Sequence, residues 1–448
     1  MSTSSQLREL RVPDGASGDY FGASVGLSDD GAALVGAPED DVGANPDQGS
    51  AYVFATGASA SATPTSMLVA PDGAPADNFG YAVALSGDTA VVGAPGHAVG
   101  NSPVQGAAYV FVRENTGWVL QGEPLIASDG EPADAFGTAV AIAGDTIVVG
   151  APFHAVEGNM GQGAAYVFAR SGGSWVAQGA TLVAENGRAG EAFGSYVALF
   201  GDTALIGAPI RQVGHNEYQG AGYVFVRNGA SWSQQGAELV APDGGPFDQL
   251  GPCALAQDTA LLGAPYHTVG SQPVQGAAYV FTRTGEDWTI QGPALTAADG
   301  ESGDQFGNAV ALHGERALIA GWGHQRAENE YRGGAYLFAR SGAVWTRQGP
   351  ALLAGGGASS EVFGASVALS SEHALIGAPT HRVADDLQQG SAYLFALNAS
   401  EDADGCACRA APTHTRGALP SFLLVGVLAS VLAFNRRRRS RAAARRRS

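Results

Sequence analysis

The stretch GDTAVVGAPGHAV, residues 87–99, combines a two-residue Gly-Asp connection, an apolar run from Thr89 to Ala94 and a loop opened by Pro95 and His97. A Gly-Asp pair of this kind closes a tight hairpin, and a short β-branched run bounded by Gly and Pro reads as a strand. Nearly the same words return six more times. Phe-Gly pairs stand at Phe21, Phe79, Phe136, Phe193, Phe306 and Phe363, with Leu250-Gly251 in the missing place, at steps of 56 to 58 residues. Gly-Ala-Pro follows at Gly36, Gly93, Gly150, Gly207, Gly263 and Gly377, and the sixth copy has Ala320-Gly321-Trp322 instead. The chain is an array of seven copies of one supersecondary unit.

Within a unit, four runs have strand character: FGTAVAIA, TIVVGAP, GAAYVFAR and SWVAQGATLVA. Four antiparallel strands every ~57 residues are the signature of a propeller blade. The fold class is therefore all-β, a seven-bladed β-propeller of four-stranded blades over residues 1–398, followed by one C-terminal transmembrane helix. The seventh unit ends at GSAYLFALN without a fourth strand, whereas QLRELRVPDG at the N-terminus aligns with the QGAELVAPDG that ends other units. The N-terminal strand, about residues 6–12, is expected to complete the last blade. Small residues fill the first strand, where seven strands crowd the axis. Trp118, Trp175, Trp232, Trp288 and Trp345 recur on the fourth strand and are expected to pack between blades.

Composition agrees with this architecture. Glycine contributes 65 of 448 residues and charged residues 15%, which suits short strands and turns. Lysine is absent. Up to Asp404, 14 Arg face all 42 acidic residues, a balance of −28; beyond it come 10 Arg and no acid. A body this acidic repels a phosphate backbone, so no nucleic-acid partner is expected. Three cysteines do not make a disulfide framework: Cys253 lies alone in an apolar strand, and Cys406 and Cys408 sit at the edge of the charge switch.

The combination FGASVALS, ALIGAP and GSAYLF resembles the FG-GAP repeat, the unit of the integrin α-subunit propeller and of many bacterial surface proteins, over about residues 6–398. That resemblance implies a seven-bladed propeller acting in extracellular binding and adhesion. The calcium sites of integrin-like units resemble DxDxDG loops between the first two strands, because calcium needs six to eight closely spaced oxygens. Here those loops read SGDTA, AGDTI, FGDTA or AQDTA, and one acid in a two-residue turn cannot wrap a cation.

The opposite loops carry two columns. Two residues before Phe-Gly stand Asp19, Asp77, Asp134, Glu191, Asp248, Asp304 and Glu361; two residues after Gly-Ala-Pro stand Asp40, His97, His154, Arg211, His267, His324 and His381. An acid facing a base in six copies is the pattern of a repeated hydrogen bond tying two loops. The same columns are the candidate ligand face. A shared metal is disfavoured, since sevenfold-related imidazoles stand too far apart for bonds of ~2 Å. In the first blade Asp19 faces Asp40, with Asp41 and Asp47 nearby. No cofactor is expected beyond one weak calcium site there, set against a solvated acidic loop. Gln48, Gln105, Gln162, Gln219, Gln275 and Gln389 precede the third strands and read as backbone anchors.

No HExxH or phosphate-cradling loop is present, and the chain is expected not to be an enzyme. After a linker at 399–417, residues 418–434 form an uncharged run, ALPSFLLVGVLASVLAF, and 435–448 an Arg-rich tail. That order reads as a membrane span with a cytoplasmic C-terminus and an extracellular propeller at the cell surface. It also resembles the sorting tail of myxobacterial surface proteins, which implies processing or lipidation at Cys406 or Cys408. MSTSSQLREL opens without the basic and apolar regions of a signal peptide, so export depends on a start further upstream or on the tail. The expected function is a non-catalytic binding or adhesion module whose partner is an extracellular protein or polysaccharide. The alternatives are a lectin-like carbohydrate binder, which needs exposed aromatics in the loops (Tyr218, Tyr266 and Tyr331 are on offer), a propeller-based hydrolase or lyase, and a structural envelope protein.

Overall fold

Gly87 and Asp88 join the strands Ala82–Ser86 and Thr89–Ala94, with Ser86 opposite Thr89. Gly87 has φ 53°, a left-handed value that glycine adopts without a Cβ clash. The strands Ala107–Glu114 and Gly117–Leu120 complete that sheet. The computed structural model describes residues 3–57, 61–323, 325–326, 330–331, 333–355, 361–384 and 386–399. Within them, seven such four-stranded antiparallel sheets form, together with a two-stranded ribbon pairing Gln325–Arg326 with Glu330–Tyr331 in the sixth blade. The innermost strands touch in chain order, and Ser24–Leu27 of the first blade touches Ser366–Leu369 of the seventh. The ring is closed. Its last sheet takes Thr3–Leu10 as the outer strand, with Leu10 opposite Ala392 and Glu9 opposite Tyr393.

The fourth strand is shorter than its sequence run. In the third blade regular pairing covers Ser174–Ala177, and the chain rejoins the sheet only at Leu182, bridged to Ala165. Gly179, left-handed at φ 76°, turns the intervening residues out of the ladder.

The hydrophobic cores lie between blades. One cluster combines Val91 and Val110 of the second blade with Phe136, Ile147, Val149 and Tyr166 of the third. Each Phe of Phe-Gly is fully buried, as Phe79 is edge-on to Tyr109 and Phe111 at 5.5 and 6.1 Å. The glycines of the repeat mark where backbones meet. A Cβ on Gly36 would lie 2.0 Å from the Gly80 carbonyl of the next blade, and one on Gly80, at φ 93°, would lie 2.2 Å from the Ser50 carbonyl. Only a residue without a side chain fits either place.

The hairpin side carries a second inter-blade stitch. Arg170, at the end of its third strand, pairs with Asp145 of the Gly-Asp turn at 2.9 Å, donates to Thr89 of the preceding blade at 2.7 Å and covers the Trp175 ring at 4.6 Å. Trp175 Nε1 donates to Gln121 of the preceding blade at 2.9 Å. Arg227, Arg283 and Arg340 repeat this arrangement. No helix among the described residues is long and apolar enough to cross a membrane; the expected span 418–434, the linker with Cys406 and Cys408, and the Arg-rich tail lie outside the described residues.

Candidate functional site

On the loop side, the second, third, fourth, fifth and seventh blades bring their two columns together. The acid first anchors its own turn: Asp77 accepts from the Ala74 amide at 2.9 Å, Asp134 from Glu131 at 2.8 Å, Asp248 from Gly245 at 2.7 Å and Asp304 from Glu301 at 2.9 Å. Its carboxylate then meets the base of the following loop. His97 Nδ1 is 2.8 Å from Asp77, His154 2.8 Å from Asp134, His267 2.7 Å from Asp248 and His381 2.8 Å from Glu361. In the fourth blade Arg211 takes the place of histidine, binding Glu191 at 2.7 Å and Glu238 at 2.8 Å. His324 lies outside the described residues.

A second acid, which the column analysis did not include, completes each clamp. Asp72, Asp129 and Asp243 stand 3.7 to 3.8 Å from the Nε2 of His97, His154 and His267 and accept the hydroxyls of Tyr109, Tyr166 and Tyr279 at 2.7 to 2.8 Å. The Asp-Gly that ends the first, second and fourth units, in APDG and ASDG, was the available signal. Hydrogen bonds to Asp77, Asp134 and Asp248 hold the three imidazoles charged to higher pH than usual, against the opposing effect of burial. For Arg211, burial opposes the charge and the bonds to Glu191 and Glu238 outweigh it, so its pKa is raised. The Gln column behaves as an anchor throughout, Gln105 Nε2 reaching the Ala127 carbonyl at 3.1 Å and Gln275 that of Ala297 at 3.0 Å.

The first blade is built differently. Asp40 accepts the hydroxyls of Ser50 and of Tyr52, the latter at 2.8 Å, while Asp19 accepts the Ala16 amide at 2.6 Å and Asp41 the Asp47 amide at 2.9 Å. Three of the four carboxylates expected at a cation, those of Asp19, Asp40 and Asp41, are thus turned to separate partners, and among the described residues no group of three or more His, Cys, Asp or Glu could hold a metal ion. Burial, with the charges of Asp40 and Asp41 added, pushes Asp19 up to about 6; burial also raises Asp40.

An exposed aromatic pair lies on the loop side between the fourth and fifth blades. Tyr218 and Phe247 are 42% and 41% exposed and their rings lie 5.3 Å apart, tilted at 46°. Both occupy left-handed backbone, φ 55° and 69°. The position of Phe247 is held by Ala76, Ala133, Gly18, Gly190 and Gly303 in other blades, all left-handed. Bonds from the Phe247 amide to the Glu217 carbonyl (2.8 Å) and from Gln249 to Tyr218 (3.0 Å) lock the two loops together. The fifth blade is also one residue short here. Gly251 lacks the left-handed φ of the other Phe-Gly glycines, and Cys253 pairs with Leu262 where Ala82 pairs with Gly93.

The FG-GAP repeat matches residues 5–54, 63–111, 118–168, 175–225, 289–338 and 345–395. The chain belongs to the FG-GAP repeat family. The stretch between the fourth and fifth matches, 226–288, contains Phe247, Leu250, Cys253 and Tyr266, so the propeller departs from the FG-GAP pattern at the seam that carries the exposed aromatic pair. No curated protein matches the chain. Among solved structures it is similar to the periplasmic gluconolactonase PpgL of Pseudomonas aeruginosa, at 14% identity over 74% of this chain and 84% of that one, with a TM-score of 0.46. It is also similar to the GH74 xyloglucanase of Xanthomonas campestris, at 17% identity over 84% of this chain and 52% of that one, with a TM-score of 0.45. Both are enzymes, and this corrects the expectation that the FG-GAP propeller is not one: that exclusion rested on missing motifs, and a propeller assembles its sites from several blades without them. A likeness this distant assigns no activity to the present chain.

Proposed function

We propose that this FG-GAP propeller binds carbohydrate on its loop side, at the seam between the fourth and fifth blades. The observation that carries the reading is the exposed Tyr218–Phe247 pair. Two rings at the surface, tilted against each other, offer the flat apolar faces on which the C–H side of a pyranose packs while its hydroxyls stay in water. A bulky residue with φ above zero is a conformational outlier that costs about 1–3 kcal/mol and persists where function retains it. Phe247 adopts such a conformation where other copies have glycine or alanine.

The test is native electrophoresis of the full-length protein through gels containing mixed-linkage β-glucan, xylan, galactomannan or dextran. At least one polysaccharide should retard the protein, and the double variant Tyr218→Ala/Phe247→Ala should run unretarded with an undiminished melting temperature. Free mobility in every gel, or retardation that the double variant keeps, overturns the reading. Reducing-end release in the same incubations separates binding from turnover. Display at the cell surface through the segment 418–434 belongs to the same proposal, because a polysaccharide partner is met outside the cell.

A further inference from the structure

Tyr52, Tyr109, Tyr166, Tyr223, Tyr279, Tyr336 and Tyr393 repeat at one position, and the hydroxyls of all but Tyr336 donate to a carboxylate of the loop side. Tyr81, Tyr196 and Tyr266 follow no column. They are half-buried, and their hydroxyls have no hydrogen-bond partner among the described residues. Water reaches these hydroxyls, none of which is among the buried polar atoms without a partner, so each can donate to an acceptor that takes the water's place.

Tyr196 and Tyr266 stand where the fifth blade is short, and Tyr81 directly precedes the innermost strand of the second blade. Tyr196 begins the innermost strand of the fourth blade, and its ring lies over Gly251, where an added Cβ would come within 3.2 Å of it and 2.8 Å of Pro209. Tyr81 and Tyr266 are near enough to add to the effect of burial, which raises the Tyr196 pKa; burial also pushes Tyr81 and Tyr266 up to about 12. All three remain hydroxyl donors at neutral pH. Tyr266 also touches the outer pair through the backbone, its amide donating to the carbonyl of Asp248, the residue after Phe247, at 3.4 Å. From Tyr218 and Phe247 at the rim the tyrosines run inward past Tyr266 to Tyr196, which opens the innermost strand of the fourth blade, with Tyr81 at the start of the innermost strand of the second.

We infer that the site is an elongated one, in which a neutral oligosaccharide lies along the seam, its rings on Tyr218 and Phe247 and its hydroxyls on Tyr266, Tyr196 and Tyr81. The inference rests on the carbohydrate reading above. Neutrality follows from the excess of 25 acidic charges over residues 1–398, which repels a polyanionic chain. A site that held one terminal sugar on the rim pair would give the three inner hydroxyls no ligand to meet.

The experiment is calorimetric titration of the full-length protein with oligosaccharides of two to six residues prepared from the polysaccharide that retards it. Affinity should rise at least tenfold between the disaccharide and the hexasaccharide. The double variant Tyr196→Phe/Tyr266→Phe keeps both rings and should lose that gain while binding the disaccharide as the parent does, at an unchanged melting temperature. Equal affinities across the series, or a length dependence that the double variant retains, overturn the elongated site and leave the carbohydrate reading standing. Absence of binding to every saccharide overturns both.

Discussion

Three histidines clamped by acids make the stability of this propeller depend on pH in a definite direction. His97, His154 and His267 hold their protons more tightly in the fold than at the ordinary value of 6.5. Their contribution is fully present below about 6.5 and is lost as pH rises through the raised folded values. Asp19 acts in the same sense lower down. Its folded value of about 6 lies above the ordinary 3.8, so stability falls as pH rises between the two. Glu9 and Glu315 act oppositely: burial opposes the Glu9 carboxylate but bonds from Arg11 and Ser391 prevail, and Arg340 binds Glu315. Their contributions are lost as pH falls below the ordinary 4.5. Thermal melts across pH should therefore show a maximum between about 4.5 and 6.5 and a decline toward pH 8.5 that the triple variant Asp77→Asn/Asp134→Asn/Asp248→Asn flattens; a melting temperature level from pH 6 to 8.5 refutes the clamp account. The first blade supplies the converse prediction. Asp40→His places a base between Asp14 and Asp19, as in other blades, and should stabilise the protein at pH 7 by on the order of 1 kcal/mol, read from chemical denaturation. Phe247→Gly relieves a left-handed phenylalanine and should gain a similar amount while losing polysaccharide binding.

At the scale of elements, the strands and their order were legible because the repeat is carried by residues whose physical role is local. Gly-Asp closes a turn, Phe-Gly and Gly-Ala-Pro mark backbones in contact across a blade boundary, and small residues fill the innermost strand. The acid and base columns were legible for the same reason, since 19 or 20 residues of separation recur as one contact. The second acid of each clamp and the Arg–Thr stitch were not, because their partners lie 25 to 81 residues apart on different strands. Of the aromatic seam, Tyr218 and Tyr266 were legible as loop aromatics, and Phe247 escaped for another reason. A search for columns averages over the copies, whereas Phe247 in GGPFDQL matters because it is the exception. Two predictions belong here. Phe136→Ala, which empties a core shared by the second and third blades, should cost about 3–5 kcal/mol. Removing residues 1–12, the outer strand of the seventh blade, should destabilise the whole ring; thermal unfolding identical to that of the full chain would show that closure does not depend on this strand.

For the whole molecule, the sevenfold scaffold and the seam between the fourth and fifth blades divide the labour. Clamps on the loop side and Arg–Trp stitches on the hairpin side recur in most blades and rigidify the ring, and the seam breaks the repeat where aromatic rings reach solvent. If the tail 418–434 tethers the chain with the propeller outside, protease added to intact producer cells should digest the propeller; a protected propeller contradicts that placement. The central claim concerns where a ligand sits. Amide hydrogen exchange of the full-length protein, with and without the polysaccharide that retards it, reads this directly. Protection should appear in 214–220 and 245–251 and extend to the residues around Tyr196 and Tyr266, with the other blades unchanged. Protection spread evenly over all the loops, or confined to the hairpin side, would contradict the account.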